Sequence, residues 1–274
     1  MPRLGLGSSL TGGSISSELT LAGASAITNN YSLLWDGNGD GVKIDAASIT
    51  HNFFSGSRNN GDGTGGTLSL WFTMHNAGQN TYGKLFTKQG DNDSTPSLAL
   101  QTDGNRRILW SFPTTEGSPS STAGNCDLQH TFSTSLWYNF VMVYDMDDVT
   151  SAQPKCYVDG SEQTVTSTRF GDGEYASNDD DSSNHIYIGN YWNEIRSWDG
   201  NIDEVSMWNR KLSDAEVASL YNSGIPTDLE GINGLIGWWR MEEGTGTTVA
   251  DSSGNGNDGA FIGNPTWSAI TPDD

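Results

Sequence analysis

Residues 201–224 constrain this chain more than any other stretch. Ile202, Val205, Met207 and Trp208 read as a strand that must bury bulky side chains. After a turn through Asn209-Arg210, Ser213 stands as a helix N-cap with Glu216 three positions on. That spacing is the reciprocal capping box, which satisfies two orphan backbone donors at a helix start. Val217, Leu220 and Tyr221 then place one apolar stripe on a short helix over 213–223, and Gly224 supplies a left-handed stop. The chain must therefore dock a lone short helix on a sheet.

The rest of the sequence supplies the sheet. Gly66–Met74 alternates with period two, setting Leu68, Leu70 and Phe72 on one face. Lys84–Lys88, Ser97–Gln101, Arg107–Phe112, Trp137–Tyr144, Lys155–Gly160 and His185–Gly189 read as further short strands between clusters of Gly, Asn, Asp and Ser. The 34 glycines show no three-residue period and so mark turns rather than collagen. No linker divides residues 31–224, and ten tryptophans with 34% hydrophobic residues suffice for one substantial core. The expectation is an all-β sandwich: an arm or edge segment at 1–30, a single domain over 31–267, and a tail at 268–274.

The segment Ile202-Asp-Glu-Val, the Asn209-Arg210 turn and the Leu212-Ser-x-x-Glu-x-x-x-Leu-Tyr221 run together resemble the closing segment of laminin-G-like domains of the concanavalin A superfamily. Tyr31–Asp45 is similar to that family's early hairpin, Trp137–Tyr144 to its strand opening on Trp, and Tyr157-Val-Asp-Gly160 to a further hairpin. The resemblance implies a jelly roll of two antiparallel sheets. One part is displaced: Gly234–Gly259 resembles the opening segment of such a domain, yet it lies near the C-terminus. Either the domain is circularly permuted, with 234–267 closing on its own chain, or that segment docks on a neighbouring subunit. Jelly-roll termini commonly lie close together, so permutation costs the fold little.

Charge excludes some partners. A net charge of −21 disfavours binding nucleic acid through its phosphates, and equally disfavours anionic membrane surfaces. No run approaches the length of a membrane-spanning helix. The N-terminal Met1–Ser14 has one Arg but no continuous apolar core, a poor match to a signal peptide. Cys126 and Cys156 either form one disulfide or remain two buried thiols. No paired Cys-x-x-Cys appears and the four histidines are scattered, which gives no zinc pattern.

No nucleophile elbow, His-Glu-x-x-His or P-loop occurs. Glycoside hydrolysis requires two carboxylates at fixed separation, and the nearest approach, Glu194 to Asp203, has Arg196 where the middle acid would sit. The chain is therefore read as non-catalytic. Asp36–Gly41 reproduces half of an EF-hand loop but holds Ala47 at the twelfth position, so an Asp-Gly turn explains it more cheaply. The loop Asp251–Gly259 is the stronger calcium candidate. By the resemblance, Asp203, Asn257 and Asp258, with Asp251 opening the loop, are candidate ligands of a structural Ca2+; the alternative is an Asx-rich turn capping its own amides. Glu174–Ser183 reads as a solvated acidic loop.

Aromatic loop residues offer a second kind of site. Tyr191 and Trp192, followed by Asn193 and Glu194, would stack a sugar ring between hydrogen-bonding partners, or else pack on a sheet edge. Trp35, Trp71, Trp137, Trp198, Trp208, Trp238 and Trp239 are assigned to the core. Two functional readings follow. The first is a structural or recognition protein on the surface of a tailed-phage virion, a capsid decoration or tail-associated module, similar to laminin-G-like proteins of marine phages. Its partners would be other virion proteins or further copies of itself as a homo-oligomer. The alternative is an extracellular, secreted or cell-surface carbohydrate-binding domain that takes glycans.

Overall fold

The computed structural model describes residues 25–46, 65–90, 98–112, 124–144, 154–167 and 184–274. Residues 1–24 of the expected arm and the Glu174–Ser183 stretch lie outside them. Within the described residues the chain forms two antiparallel sheets and one short α-helix. In chain order the strands are β1 (Ser32–Asp36), β2 (Gly41–Ile44), β3 (Gly66–Phe72), β4 (Lys84–Gln89), β5 (Leu98–Thr102) and β6 (Ile108–Phe112). They continue as β7 (Gly124–Leu128), β8 (Tyr138–Tyr144), β9 (Lys155–Val158), β10 (Ser161–Gln163), β11 (Val165–Ser167), β12 (His185–Ile188) and β13 (Asp199–Trp208). After the helix α1 (Asp214–Tyr221) come β14 (Leu235–Trp239), β15 (Thr248–Val249), β16 (Gly259–Ile262) and β17 (Thr266–Ser268).

One sheet has the order β10-β9-β8-β3-β13-β1-β17, with β14 also paired to β13; the other runs β11-β7-β6-β5-β4-β12-β2-β16-β15. The inner faces of the two sheets enclose the main core, which includes Trp35, Leu70, Phe86, Trp110, Phe140, Ile188, Trp198, Val205 and Trp239. This is a concanavalin A-like jelly-roll sandwich, the all-β sandwich of the strand pattern in the form that the family resemblance implied. No helix among the described residues is long and apolar enough to cross a membrane.

The constraining segment folds largely as its residues dictate, with one irregularity. Ile202, Val205 and Met207 all face the main core, although strict alternation would turn Ile202 away from the other two. A register shift between Asp203 and Ser206, with Glu204 at φ 48°, inserts the residue that restores the phase. Ser213 and Glu216 make the full capping box. The helix ends earlier than expected, because Asn222 takes the left-handed cap at φ 43° two residues before Gly224. Asn tolerates that conformation as Gly does. Val217 and Leu220 pack with Val141, Tyr157, Trp208, Leu229 and Trp238 in a second apolar cluster on the outer side of the first sheet.

The C-terminal segment pairs within its own chain. β14 adds to β13, β16 adds to β2, and β17 adds to β1, so the segment enters both sheets. Trp137 is only half-buried, whereas the other tryptophans assigned to the core are buried. Cys156 is buried on β9 of the first sheet, and Cys126 lies on β7 of the second.

Candidate glycan-binding site

The outer face of the first sheet is occupied by α1 and its apolar cluster. The outer face of the second sheet is polar and aromatic. Directly opposed residues of an antiparallel pair share a face, and Phe86, Leu100 and Ile188 point inward. Their neighbours Thr87, Gln101 and Tyr187 therefore point outward, with Lys84 opposite Gln101 and Gln89 opposite His185. Two loops meet at the end of this face where β4 begins and β12 finishes.

The first loop, residues 190–198, hangs from one buried side chain. Asn190 is fully buried; its Nδ2 donates to the Asp40 carbonyl (2.7 Å), while its Oδ1 accepts from the amides of Tyr191 (2.8 Å) and Arg196 (3.1 Å). One amide side chain thus fixes both ends of the turn. A Cβ at Gly41 would lie 2.9 Å from the Asn190 Cβ, so the strand beneath needs glycine there. The second loop, residues 76–83, is fastened to the first. Asn80 Nδ2 donates to the Ile195 carbonyl (3.0 Å), the Ser197 amide to Gln79 Oε1 (3.1 Å), and the Lys84 amide to the Arg196 carbonyl (2.8 Å). Asn80 and Thr81 hold positive φ of 54° and 65°, backbone strain of the kind that concentrates at functional loops.

These bonds gather a set of rings and cations. The Arg196 guanidinium lies 5.5 Å from the centre of the Tyr82 ring, which is 43% exposed. The Lys84 ammonium lies 5.3 Å from the centre of the Tyr191 ring and donates to Gln101 Oε1. Gln89 Nε2 donates to the Tyr191 hydroxyl (3.1 Å), and the Trp192 ring is 6.1 Å from that of Tyr191 at 56°. Burial, and then the nearby charge of Arg196, push the Lys84 ammonium down to about 8. Tyr191, Trp192 and Asn193 are half-buried and Glu194 is exposed.

All four residues expected at a sugar platform therefore occupy one loop of this cluster. Tyr82, Asn80, Lys84 and Arg196 were not expected there. Residues 80–84 and 196 are more than a hundred positions apart, and only the sheet order brings them together. The one local hint in the sequence was an aromatic residue beside Asn and Gly in a short turn.

The residues expected as calcium ligands take part in the following hydrogen bonds within the chain. Asp251 Oδ1 accepts from the amides of Trp238 and Ser253 (both 2.9 Å), and its Oδ2 from the Asn257 amide (3.0 Å). Asp258 Oδ1 accepts from the Asp251 amide (2.9 Å), and Asn257 Nδ2 donates to the Ile236 carbonyl (2.7 Å). That is an Asx-rich turn capping its own backbone. Asp203 takes its partners elsewhere, from Asn29 Nδ2 (2.8 Å) and the Glu204 amide (2.9 Å). Burial raises Asp203 well above the usual carboxylate range, with the charge of Glu204 adding to it. Asp36 Oδ1 accepts from the Asn38 amide (2.9 Å), in the turn by which the chain passes from β1 to β2; these strands belong to different sheets, so the expected early hairpin is a crossover between sheets. Among the described residues no three His, Cys, Asp or Glu side chains converge as a metal site.

The family model Laminin_G_3, described as the concanavalin A-like lectin/glucanases superfamily, matches residues 36–218. The chain belongs to this family. Among solved structures, this laminin G-like chain is similar to a Bacteroides ovatus protein to which carbohydrate binding is ascribed. The TM-score is 0.58 at 13% identity, covering 88% of this chain and 60% of that one. The chain thus spans about three-fifths of that protein's length. It is also similar to a sialidase carbohydrate-binding module of Ruminococcus gnavus bound to α2,3-sialyllactose (TM-score 0.48, 10% identity, 72% and 100% covered). A heptameric pentraxin of Limulus polyphemus gives a TM-score of 0.46 at 11% identity, with 72% and 84% covered. No curated protein matches the chain in sequence. At these identities the likenesses concern the fold.

Proposed function

We propose that this laminin G-like chain is a non-catalytic carbohydrate-binding module, with the glycan seated on the joined loops 78–82 and 190–196. The observation that carries this reading is the grouping of Tyr82, Tyr191 and Trp192 with the amides of Asn80 and Asn193 at one end of the polar sheet face. An aromatic ring offers a flat apolar surface to the CH face of a pyranose. A few placed polar groups then read the hydroxyls, as in most small-ligand sites. The carbohydrate binding ascribed to the Bacteroides ovatus protein of like fold supports the same reading. These two considerations move the glycan reading ahead of the virion role that stood first from sequence alone.

A glycan array probed with the full chain, followed by calorimetric titration of the glycans retained, tests the proposal. Tyr82→Ala and Trp192→Ala are expected to weaken binding by about tenfold or more while the melting temperature moves little, since both rings are partly solvent-exposed. Undiminished binding by the double variant would refute the assignment of the site.

A further inference from the structure

The chain carries 34 acidic residues against 13 basic ones, so a cation here is rarely far from a carboxylate. Arg107, Arg210, Arg240, Lys43 and Lys155 each make an ion pair. Lys84 and Arg196, adjacent across the two loops, make none among the described residues. Arg196 donates to the Asn80 carbonyl (3.4 Å) and lies over Tyr82; Lys84 donates to Gln101 and lies over Tyr191. Lys84 is also only 8% exposed. Two like charges held side by side, one of them buried, cost the fold free energy unless something negative compensates them. Among the described residues no carboxylate pairs with either cation, and Glu194, on the same loop, is exposed and makes no ion pair with Arg196.

Resting on the glycan reading above, we infer that the ligand is an anionic sugar, whose carboxylate or sulfate group is held by Arg196 over the field of Lys84 while its ring stacks on the neighbouring aromatics. Arg196 is the contacting cation because it is half-exposed and its guanidinium presents a planar donor fork suited to carboxylate or sulfate oxygens. Lys84 lies beneath and contributes charge rather than contact. The net charge of −21 does not cancel this local field in salt. At about 0.15 M ionic strength acids farther than ~8 Å are largely screened, while a partly buried contact is screened much less.

The experiment titrates the full chain with matched pairs: lactose against sialyllactose, a neutral galactan oligomer against its sulfated form, and a neutral glucan oligomer against a uronate oligomer. At least one acidic member is expected to bind about tenfold or more tightly than its neutral partner. Arg196→Gln is expected to erase that preference and Arg196→Lys to keep part of it, with melting temperatures close to that of the parent chain. The backbone bonds of residue 196 survive both changes. Which pair shows the preference separates carboxylate from sulfate recognition. Equal binding of acidic and neutral members, or a preference that persists in Arg196→Gln, would overturn the inference and leave the glycan reading standing. Binding of no sugar would overturn both.

Discussion

Deleting residues 232–274 should abolish cooperative folding of the remainder. That segment places Ile236, Trp238, Trp239, Met241 and Val249 inside, each at most 5% exposed. Burying each such side chain is worth about 1.5–3 kcal/mol, so together they supply on the order of 10 kcal/mol. A typical domain has a net stability of only ~5–15 kcal/mol. The deletion also bares β13 where β14 pairs with it, and β2 and β1 where β16 and β17 do. Unpaired edges of that kind invite aggregation. Graded controls separate packing from general damage. Trp239→Ala, which empties a buried site and frees the Asn257 carbonyl bonded to its Nε1, should cost about 3–5 kcal/mol. Trp267→Ala, at a half-buried position, should cost less. Urea unfolding followed by near-ultraviolet circular dichroism reads all of these. Because the segment closes on its own chain, the unfolding midpoint should not change on hundredfold dilution. A 1–231 chain that stays soluble and melts cooperatively near the full-length temperature would refute the reasoning.

Three other outcomes follow from the buried polar groups and the helix cap. Burial raises Asp203, and raises Glu204 to about 8 despite Arg240 and the Trp238 indole. A carboxyl raised in the folded state contributes stability fully present below its unfolded value and lost as pH rises through the folded one. Glu204→Gln should therefore flatten the fall in melting temperature between about pH 5 and pH 8; an unchanged slope would count against it. Ser213→Ala removes the hydroxyl half of the capping box, leaving the bond from the residue-213 amide to Glu216, and should cost about 1 kcal/mol, a melting shift of roughly 2–4 °C by calorimetry. Chelation should shift the melting temperature by less than about 1 °C, because the Asp251 carboxylate already caps three amides. A larger drop that Asp203→Ala abolishes would refute this and support the calcium assignment.

Most of the fold was legible because its signals are local. Period-two alternation and the Ser213–Glu216 spacing each act over a few residues, and each recurs in the structure. The bulge at Glu204 was not legible, since one inserted residue is invisible until Ile202 and Val205 are seen to share a face. Half of the candidate site was visible as an aromatic loop at 191–194. The other half, Tyr82, Lys84 and Arg196, depends on β4 lying beside β12, a pairing between strands a hundred residues apart. The Asp251–Gly259 loop did not speak for one reading in sequence, because a calcium-ligand loop and an Asx turn use the same residues.

The central claim is that one glycan site spans two loops. Hydrogen exchange of the full chain, with and without a saturating glycan taken from the array, tests it most directly. The account predicts joint protection of amides in 78–84 and 190–197, with the face covered by α1 unchanged. Protection confined to the α1 face, or to the Asp251–Gly259 loop, would contradict it.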